Sequence, residues 1–436
     1  MTTPQAIDWE EATREAIDLL SRYIAIDTSN PPGREQAAAD FLSAVLRDNG
    51  IECHVFPLPD GRANLAARLR GNGKKPPFVL LSHMDVVPVQ REFWQEDPFG
   101  GIVKDGFVWG RGAVDMKGMG VMELMTLLLV RRLGLPLSRD LLFVAAADEE
   151  AGGEAGIEWL DANHPELFDV EYVINEGGYG SQEMFGVKRP VFSCSVGEKG
   201  PLWLRLVSEG APGHGSVPHR DNCVERLVRA LNRVQEWERE TVLLPELHPM
   251  FELLQEAGII KGDLSSETLR ELAANIPLLK ALLTDTISTT MVNAGVKANV
   301  IPARAEAVLD CRLLPGHEPD AFIEQLAAVI SDPKIRIEKV LESQTPISPV
   351  DTDLFETIRE VVKEQAPEAL LLPSIASGFT DSRAYRRRGV VAYGFIPALL
   401  TMGELASAHG HNERISIENL RLGTQILFEV VRRICA

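Results

Sequence analysis

The chain has 436 residues, of which 45% are hydrophobic and 25% are charged, and its formal net charge at pH 7 is -19. This length predicts two domains, because single hydrophobic cores stop growing beyond about 300 residues. The composition is typical of a soluble globular protein. The negative charge argues against nucleic acid and membrane surfaces as partners.

The five cysteines are scattered along the chain without a close pair. Isolated cysteines in odd number favour reduced thiols over disulfides or a thiolate metal site, and therefore a cytoplasmic location. The first residues lack the basic and apolar pattern of a signal peptide. Apolar runs such as 141–147 are too short to span a bilayer.

The first part of the chain alternates helical patterns with short apolar runs, which predicts an α/β fold. The predicted helices span 9–25, 37–46, 117–130 and 157–162, and the predicted strands span 52–56, 64–69, 78–81, 141–147 and 172–174.

The pattern changes near residue 194, where strands with one polar face and new helices begin. Beyond residue 314 the α/β pattern resumes. We therefore interpret 194–314 as a smaller α+β domain inserted between the two parts of the first domain, 1–193 and 315–436.

The apolar run 78–81 leads to a histidine and a carboxylate, His83 and Asp85. Residues i and i+2 of an extended chain point to the same side. Asp85 can therefore reach one ring nitrogen of His83 and leave the other nitrogen for a metal.

Further candidate ligands follow later strands or lie in loops, and the set comprises His83, Asp115, the pair Glu149 and Glu150, Glu176 and His409. Sites in open α/β sheets form at the carboxyl ends of strands, so we expect these side chains to meet. Imidazole and carboxylate without thiolate favour zinc, and cobalt and manganese also accept such ligands.

Two histidines and three carboxylates suit two metals that share one carboxylate. Asp115 is the natural bridge, because its glycine-rich loop allows close backbone approach. Two such metals, about 3.5–4 Å apart, can hold a water and polarise a carbonyl. One glutamate of the pair 149–150 can then bind metal while its neighbour takes a proton from the water.

The ordered motifs are His-x-Asp at 83–85, Gly-Arg-Gly-x-x-Asp-x-Lys-Gly at 110–118, Asp-Glu-Glu at 148–150, Glu-Gly at 176–177 and His-x-x-Asn-Glu at 409–413. This set resembles the co-catalytic zinc metallopeptidases that include aminoacylase, glutamate carboxypeptidase, acetylornithine deacetylase and succinyl-diaminopimelate desuccinylase. The resemblance runs from residues 27–33 to the last helix. It implies a zinc-peptidase-like mixed sheet between helices, with an inserted lid or dimerisation domain.

The resemblance also implies individual roles. The implied metal ligands are His83, the bridging Asp115, Glu150, Glu176 and His409, while Asp85 orients His83 and Glu149 is the general base. His411 stays open as an alternative to His409, which the family spacing favours because Asn412 follows it by three residues.

In the inserted domain, His214 resembles a family histidine that reaches the active site, in dimers that of the other subunit. Such a histidine can donate to the oxyanion of the reaction, in its own chain or across a dimer. Asn299 and Arg312 resemble residues that hold the substrate carboxylate, which an arginine fork matches in two places. In the first domain, residues 378–383 resemble the substrate-binding loop of the family. A plain loop histidine and a plain surface arginine are the alternatives.

The implied function is a dinuclear metal-dependent hydrolase that cleaves an amide bond next to a free carboxylate, in a small peptide or an N-acyl amino acid. The segments 148–153 and 241–285 favour the carboxypeptidase and aminoacylase branches. A biosynthetic acetylornithine deacetylase or succinyl-diaminopimelate desuccinylase is the alternative within the family. A non-catalytic metal-binding protein is the alternative of another class.

Overall fold

The computed structural model describes residues 7–184 and 186–436. Within them, a large sheet lies between helices, and a smaller sheet carries helices of its own. The predicted fold class, α/β with a smaller α+β unit, is confirmed.

The large sheet is mixed and draws on distant parts of the chain. Its strands are β1 (Glu52–Pro57), β2 (Ala63–Leu69), β3 (Phe78–His83), β6 (Leu141–Ala146), β7 (Tyr172–Ser181), β8 (Val191–Glu198), β15 (Leu370–Ala376) and β16 (Val391–Leu400). Their order is β1-β2-β6-β3-β7-β16-β8-β15. The central strands β6, β3, β7 and β16 are parallel, so their carboxyl ends meet along one edge of the sheet.

The central strands are buried on both faces, which explains their unbroken apolar sequences. Phe78 and Leu80 of β3 face one core, whereas Val79 and Leu81 face another. The surrounding helices are α1 (Trp9–Ile24), α2 (Gln36–Asp48), α3 (Lys117–Leu133), α4 (Ile157–Asn163), α10 (Asp353–Gln365), α11 (Ser382–Arg387), α12 (Met402–Leu405) and α13 (Ile417–Cys435). Helix α3 is buried from Lys117 to Val130, as its apolar sequence requires.

The small sheet is antiparallel. Its strands are β9 (Gly200–Glu209), β11 (Thr286–Ala294), β13 (Arg304–Leu313) and β14 (Ile335–Glu342), and their order in the sheet is β11-β13-β9-β14. Helices α5 (Cys223–Glu236) and α9 (Pro319–Ile330) pack on one face of it. A short ladder joins β10 (Gly213–His214) to β12 (Val300–Ile301).

The small sheet and its two helices fall between residues 200 and 342, which differs from the predicted span of 194–314. Residues 194–198 belong to β8 of the large sheet. At the other end, β14 returns to the small sheet after α9, a pairing that its sequence does not reveal. We therefore propose residues 200–342 as the inserted unit.

Three helices of the inserted segment pack against the large domain rather than the small sheet. They are α6 (His248–Glu256), α7 (Ser266–Asn275) and α8 (Pro277–Leu283). Phe251 and Leu254 of α6 share one apolar core with Ile375 of β15. The small sheet has its own core, which contains no residue of these helices.

A three-stranded sheet that sequence patterns did not reveal ties the C-terminal loop to the middle of the chain. It consists of β4 (Ile102–Lys104), β5 (Phe107–Trp109) and β17 (Arg414–Ser416). The pairing of β17 with β5 brings the loop before β17 beside the loop after β5. No helix in the described part of the chain is both long and apolar enough to cross a membrane.

Candidate metal centre

His83 is the last residue of β3, and its ring is buried at the carboxyl edge of the large sheet. Its Nε2 atom lies 3.2 Å from Oδ1 of Asp115 and 3.5 Å from Oε1 of Glu176. Its Nδ1 atom lies 3.0 Å from the backbone oxygen of Asp85 and 3.5 Å from Oδ1 of the same residue. The Nδ1 contacts leave Nε2 facing the two carboxylates.

Asp115 lies in the loop between β5 and α3 and contacts both histidines of the predicted set. Its Oδ1 faces His83, and its Oδ2 lies 2.9 Å from Nε2 of His409. Nε2 of His409 also lies 3.2 Å from Oε2 of Glu150. Two potential metal-binding groups result, and they share Asp115: one is His83, Asp115 and Glu176, and the other is Asp115, Glu150 and His409.

The donor set fits two divalent cations. Within each group, the ligand atoms lie within 4.8 Å of one another. Burial, together with the nearby charge of Asp115, raises the pKa of Glu176 to about 7. Oε1 of Glu150 is buried and has no hydrogen-bond partner among the residues described. Bound cations would relieve both conditions, because they neutralise crowded carboxylates and accept their lone pairs.

Glu149 is buried beside the two groups but belongs to neither. Burial raises the pKa of its carboxyl well above the usual range, and the nearby charge of Glu176 raises it further. The side chain lines the same cavity as Asp115, Glu150 and Glu176. A carboxylate in this position can exchange protons with a molecule held between the groups.

Asp85 holds the start of the 149–150 turn in place. It is fully buried, and its carboxylate accepts hydrogen bonds from the backbone N–H groups of Glu149 and Glu150, each at 3.1 Å. Asn30 donates a third hydrogen bond at 2.8 Å. The same residue therefore orients His83 and fixes the backbone of two neighbouring glutamates, of which only Glu150 belongs to a metal-binding group.

The loop that carries His409 is fixed by a buried ion pair that sequence reasoning missed. Nη1 of Arg111 donates to Glu413 at 2.6 Å, and Nη2 donates to the backbone oxygen of Gly410 at 2.7 Å. The carboxylate of Glu413 also accepts the backbone N–H groups of Gly112, Val114 and Asp115. Both residues lie within the motifs at 110–118 and 409–413. The sequence signal for the ion pair was therefore that two opposite charges occur in motifs that were predicted to meet at the metal centre.

The alternative ligand, His411, lies outside both groups. Its ring packs against Phe93, with 5.1 Å between the ring centroids. His409 is therefore the histidine that the structure brings to Asp115 and Glu150.

The predicted residues of the inserted domain lie apart from this cluster. His214 is exposed, and its Nδ1 atom is 2.7 Å from the hydroxyl of Ser216. Asn299 is also exposed, and its backbone oxygen accepts the N–H of Gly215. In the described residues, no hydrogen bond or ion pair joins either side chain to the metal-binding groups.

Arg312 contacts a residue of the large domain. Its guanidinium pairs with Asp310 at 2.7 Å and 3.2 Å. It also lies 5.0 Å from the ring centroid of Phe379, which lines the cavity at the metal-binding groups. The loop 378–383, which resembles a substrate-binding loop, thus meets Arg312 at the edge of the cavity.

Asp381 is a further buried carboxylate that sequence reasoning left without a role. It is 1% exposed, and neither of its oxygens has a hydrogen-bond partner among the described residues. Burial raises its pKa to about 7, and the positive charge of Arg383 opposes that rise. The signal in the sequence was its position within the 378–383 loop.

The chain is similar to known proteins both in sequence and in fold. A model of peptidase family M20/M25/M40 matches residues 79–433. The chain is 30% identical to aminoacylase-1 of Sus scrofa over 415 residues, which are 93% of this chain and 91% of that protein. It is 29% identical to the N-fatty-acyl-amino acid synthase/hydrolase PM20D1 of Mus musculus over 378 residues, 82% of this chain and 74% of that protein. An M20 family metallo-carboxypeptidase of Sulfolobus solfataricus superposes with a TM-score of 0.73 at 20% identity, covering 97% and 98% of the two chains.

Proposed function

The chain belongs to peptidase family M20/M25/M40, and we propose that it hydrolyses an amide bond next to a free carboxylate with the help of two metal ions. The family membership confirms the resemblance and makes the chain a hydrolase of peptide or N-acyl amide bonds. The proposed substrates are small peptides and N-acyl amino acids, as in the carboxypeptidase and aminoacylase branches.

One observation carries the proposal: two groups of metal-binding side chains share Asp115, and the buried carboxylate of Glu149 lies beside them without joining either. The proposed ligands are His83, Asp115, Glu150, Glu176 and His409, and zinc is the proposed metal because the donors are imidazole and carboxylate. When bound, two such ions hold a water and polarise the substrate carbonyl.

The chain's own residues then handle the protons. Glu149 takes one proton as the oxygen of water bonds to the carbonyl carbon, and it delivers that proton to the amide nitrogen as the C–N bond breaks. The products are a carboxylic acid and a free amine. Asp85 keeps His83 and the 149–150 turn in position throughout.

We propose that the carboxylate beside the scissile amide is held by Arg312 and Asn299. Arg312 supports this role by its position against Phe379, at the edge of the cavity. Its pairing with Asp310 means that a substrate carboxylate must compete with an existing partner. Loss of the proposed base or of a proposed metal ligand would favour a non-catalytic role. This chain has the base and all of the proposed ligands.

The decisive experiment is a hydrolysis assay on chelator-treated protein that receives zero, one and two equivalents of zinc, cobalt or manganese. The panel contains N-acetyl amino acids, dipeptides, acetylornithine and succinyl-diaminopimelate. We expect hydrolysis of N-acyl amino acids or dipeptides to require metal. Preferred hydrolysis of acetylornithine or succinyl-diaminopimelate would favour the biosynthetic alternative, and stoichiometric metal without any hydrolysis would contradict the proposal.

We further propose a homodimer formed through the inserted domain. Strand β11 is at the edge of the small sheet, and its residues from Ser288 to Ala294 are exposed. Met291 and Val292 are 55% and 56% exposed, and an exposed edge strand presents unpaired backbone groups that another chain can pair with. The exposed His214 would then serve the active site of the partner subunit.

Mixing two inactive variants tests this arrangement. Glu149→Gln should lack the base, and His214→Ala should lack an oxyanion donor, which typically costs about 10²–10³-fold in kcat. If His214 acts across the dimer, co-refolded mixtures form one intact site per heterodimer and recover activity. No recovery, with a dimer demonstrated by light scattering, would place His214 in its own chain or outside catalysis.

We also propose a cytoplasmic location. All five cysteines are free in the structure, and four of them are buried. Unpaired cysteines are typical of a reducing compartment.

A further inference from the structure

The turn that carries Glu149 and Glu150 is held from two sides, and one of them lies outside the metal centre. On the inner side, Asp85 binds the backbone N–H groups of both glutamates. On the outer side, the turn begins at Asp148, which is buried and has a left-handed backbone with a φ of 68°. Residues other than glycine adopt this conformation rarely, so the contacts of the Asp148 side chain are needed to stabilise it.

Arg62, directly before β2, supplies the strongest of these contacts. Its Nη1 donates to Oδ1 of Asp148 at 2.5 Å. Its Nη2 donates to Oδ1 of Asn30 at 2.9 Å and to the backbone oxygen of Pro32 at 2.8 Å. The guanidinium therefore joins the loop 27–33 to the start of the turn, and it does so with a planar fork of donors that a lysine does not have.

Asn30 connects Arg62 to Asp85. The Nδ2 atom of Asn30 donates to Oδ2 of Asp85 at 2.8 Å and to Oδ1 of Asp148 at 3.0 Å. The Oδ1 atom of Asn30 accepts the hydrogen bond from Arg62, so both ends of the amide are fixed. Arg62 thus reaches Asp85 through one intervening side chain, and Asp85 holds the backbone of Glu149.

Arg62 is also the counter-ion of the acids beside the turn. Oε1 of the buried Glu35 lies 3.5 Å from Nη1 of Arg62, and Oε2 of Glu35 has no hydrogen-bond partner among the described residues. Burial raises the pKa of Glu35 to about 7, the charge of Asp85 raises it further, and the charge of Arg62 opposes the rise. In the described part of the chain, no other basic side chain forms an ion pair with Glu35 or Asp148. Loss of the guanidinium would leave buried carboxylates without a positive partner.

The far end of the turn is tied to the same part of the chain. Asn64, two residues after Arg62, is fully buried. Its Oδ1 accepts the N–H of Ala147 at 2.8 Å, and its Nδ2 donates to the backbone oxygen of Ala155 at 2.9 Å. The N–H of Ala155 donates in turn to Oδ2 of Asp148 at 3.0 Å. The start of β2 therefore holds both ends of the segment 147–155.

We propose that Arg62 is a positioning residue for the reaction. Acting through Asp148 and Asn30, it holds the carboxyl of Glu149 where that group exchanges protons with the water and the leaving amine. The inference rests on the proposed function. Arg62 belongs to neither metal-binding group and is not among the described residues that line the cavity. Because a displacement of about 1 Å at a reacting group can cost about 10²-fold in rate, Arg62 should affect kcat far more than KM.

Chemical rescue tests this role on the zinc-loaded full chain. Arg62→Ala removes the guanidinium from a side chain that is 16% exposed, so a small solute can enter the vacated space. We expect kcat for the best substrate of the panel to fall roughly 10-fold or more, with KM and the metal content nearly unchanged. Ethylguanidinium should then raise kcat saturably, whereas ethylammonium, which carries the charge without the fork, should not. Assays well below the Tm of the variant separate this effect from a loss of folded protein.

Arg68→Ala is the matched control. Arg68 lies on β2 and pairs with Asp140 at 3.3 Å, and among the described residues it forms no hydrogen bond with the segment 147–155. We expect its kcat to equal that of the unmodified chain, with and without ethylguanidinium. An unchanged kcat in Arg62→Ala, or a lowered kcat that ethylguanidinium does not raise, would overturn the inference while leaving the hydrolase intact. An unmodified chain that hydrolyses no member of the panel would instead refute the proposed function.

Arg62→Lys keeps the inference testable if Arg62→Ala does not fold. The lysine retains a positive charge beside Glu35 and Asp148 but loses the fork that also holds Asn30. We expect this variant to fold, to retain two metals and to have a lowered kcat with little change in KM. Full activity in Arg62→Lys would show that the fork does not position the turn.

Discussion

Glu149→Gln is expected to retain two metals per chain and to lose at least about 10²-fold in kcat. Glu149 lies next to both metal-binding groups but contributes to neither, so its replacement removes proton transfer and leaves the ligands in place. Glutamine has nearly the same shape as glutamate, and the site is buried, so the fold should be unaffected. Metal content by mass spectrometry and kcat on the preferred N-acyl amino acid are the two measurements.

The neighbouring residue provides the matched control. Glu150 contributes to the group that contains His409, so Glu150→Gln should lower the metal content toward one ion per chain and reduce activity for that reason. Both variants replace a glutamate by a glutamine, and they do so at adjacent positions. Loss of metal from Glu149→Gln, or full activity in that variant, would contradict the division of roles between the pair.

Part of the candidate site was predictable, because His83, the pair Glu149 and Glu150, and Glu176 lie on or directly after neighbouring strands of the large sheet. His83 is in register with Ala146 on the parallel strand β6, so the turn that carries Glu149 and Glu150 comes directly beside the histidine. Glu176 lies on β7, the other neighbour of β3. Apolar runs that end in polar residues therefore predicted the large sheet and the edge of that sheet at which the proposed metal ligands meet.

Other features depend on contacts between segments that sequence patterns treat separately. Arg111 and Glu413 are 302 positions apart, and neither residue type predicts burial on its own. Strand β14 was missed because it reaches the small sheet only after helix α9. The segment 241–285 was predicted to be helical, but the sequence does not show which domain it packs against. That depends on an apolar core that the segment shares with β15.

The role of Arg312 could not be decided from the sequence pattern of its strand. Its strand alternates as a half-exposed strand should, so the alternation by itself leaves a surface arginine open beside the substrate ligand that the resemblance implies. The structure places the guanidinium against Phe379 of the large domain. Only the contact between the two domains distinguishes this residue from other arginines of the small sheet.

Glu413→Ala is expected to be the most destabilising substitution in the C-terminal motif. It leaves the guanidinium of Arg111, which is 2% exposed, without its carboxylate, and it also frees three backbone N–H groups of the loop that carries Asp115. Removing one partner of a buried pair typically costs about 3–5 kcal/mol, which corresponds to a fall of roughly 3–5 °C in Tm for a chain of this size. Because the same carboxylate fixes the loop of Asp115 and the loop of His409, both metal sites should also weaken.

The matched control is Glu15→Ala, which breaks an ion pair of the same length at the surface. Arg132 and Glu15 are 2.6 Å apart, as are Arg111 and Glu413, but the two surface side chains are 41% and 31% exposed. Pairs of this kind contribute about 0–1 kcal/mol, so Tm should fall by about 1 °C or less and metal affinity should not change. Circular dichroism melts of the chelated and zinc-loaded proteins, with competitive metal titration, separate the two effects. Equal losses of Tm and equal metal affinities in the two variants would show that the Arg111–Glu413 pair does not support the metal centre.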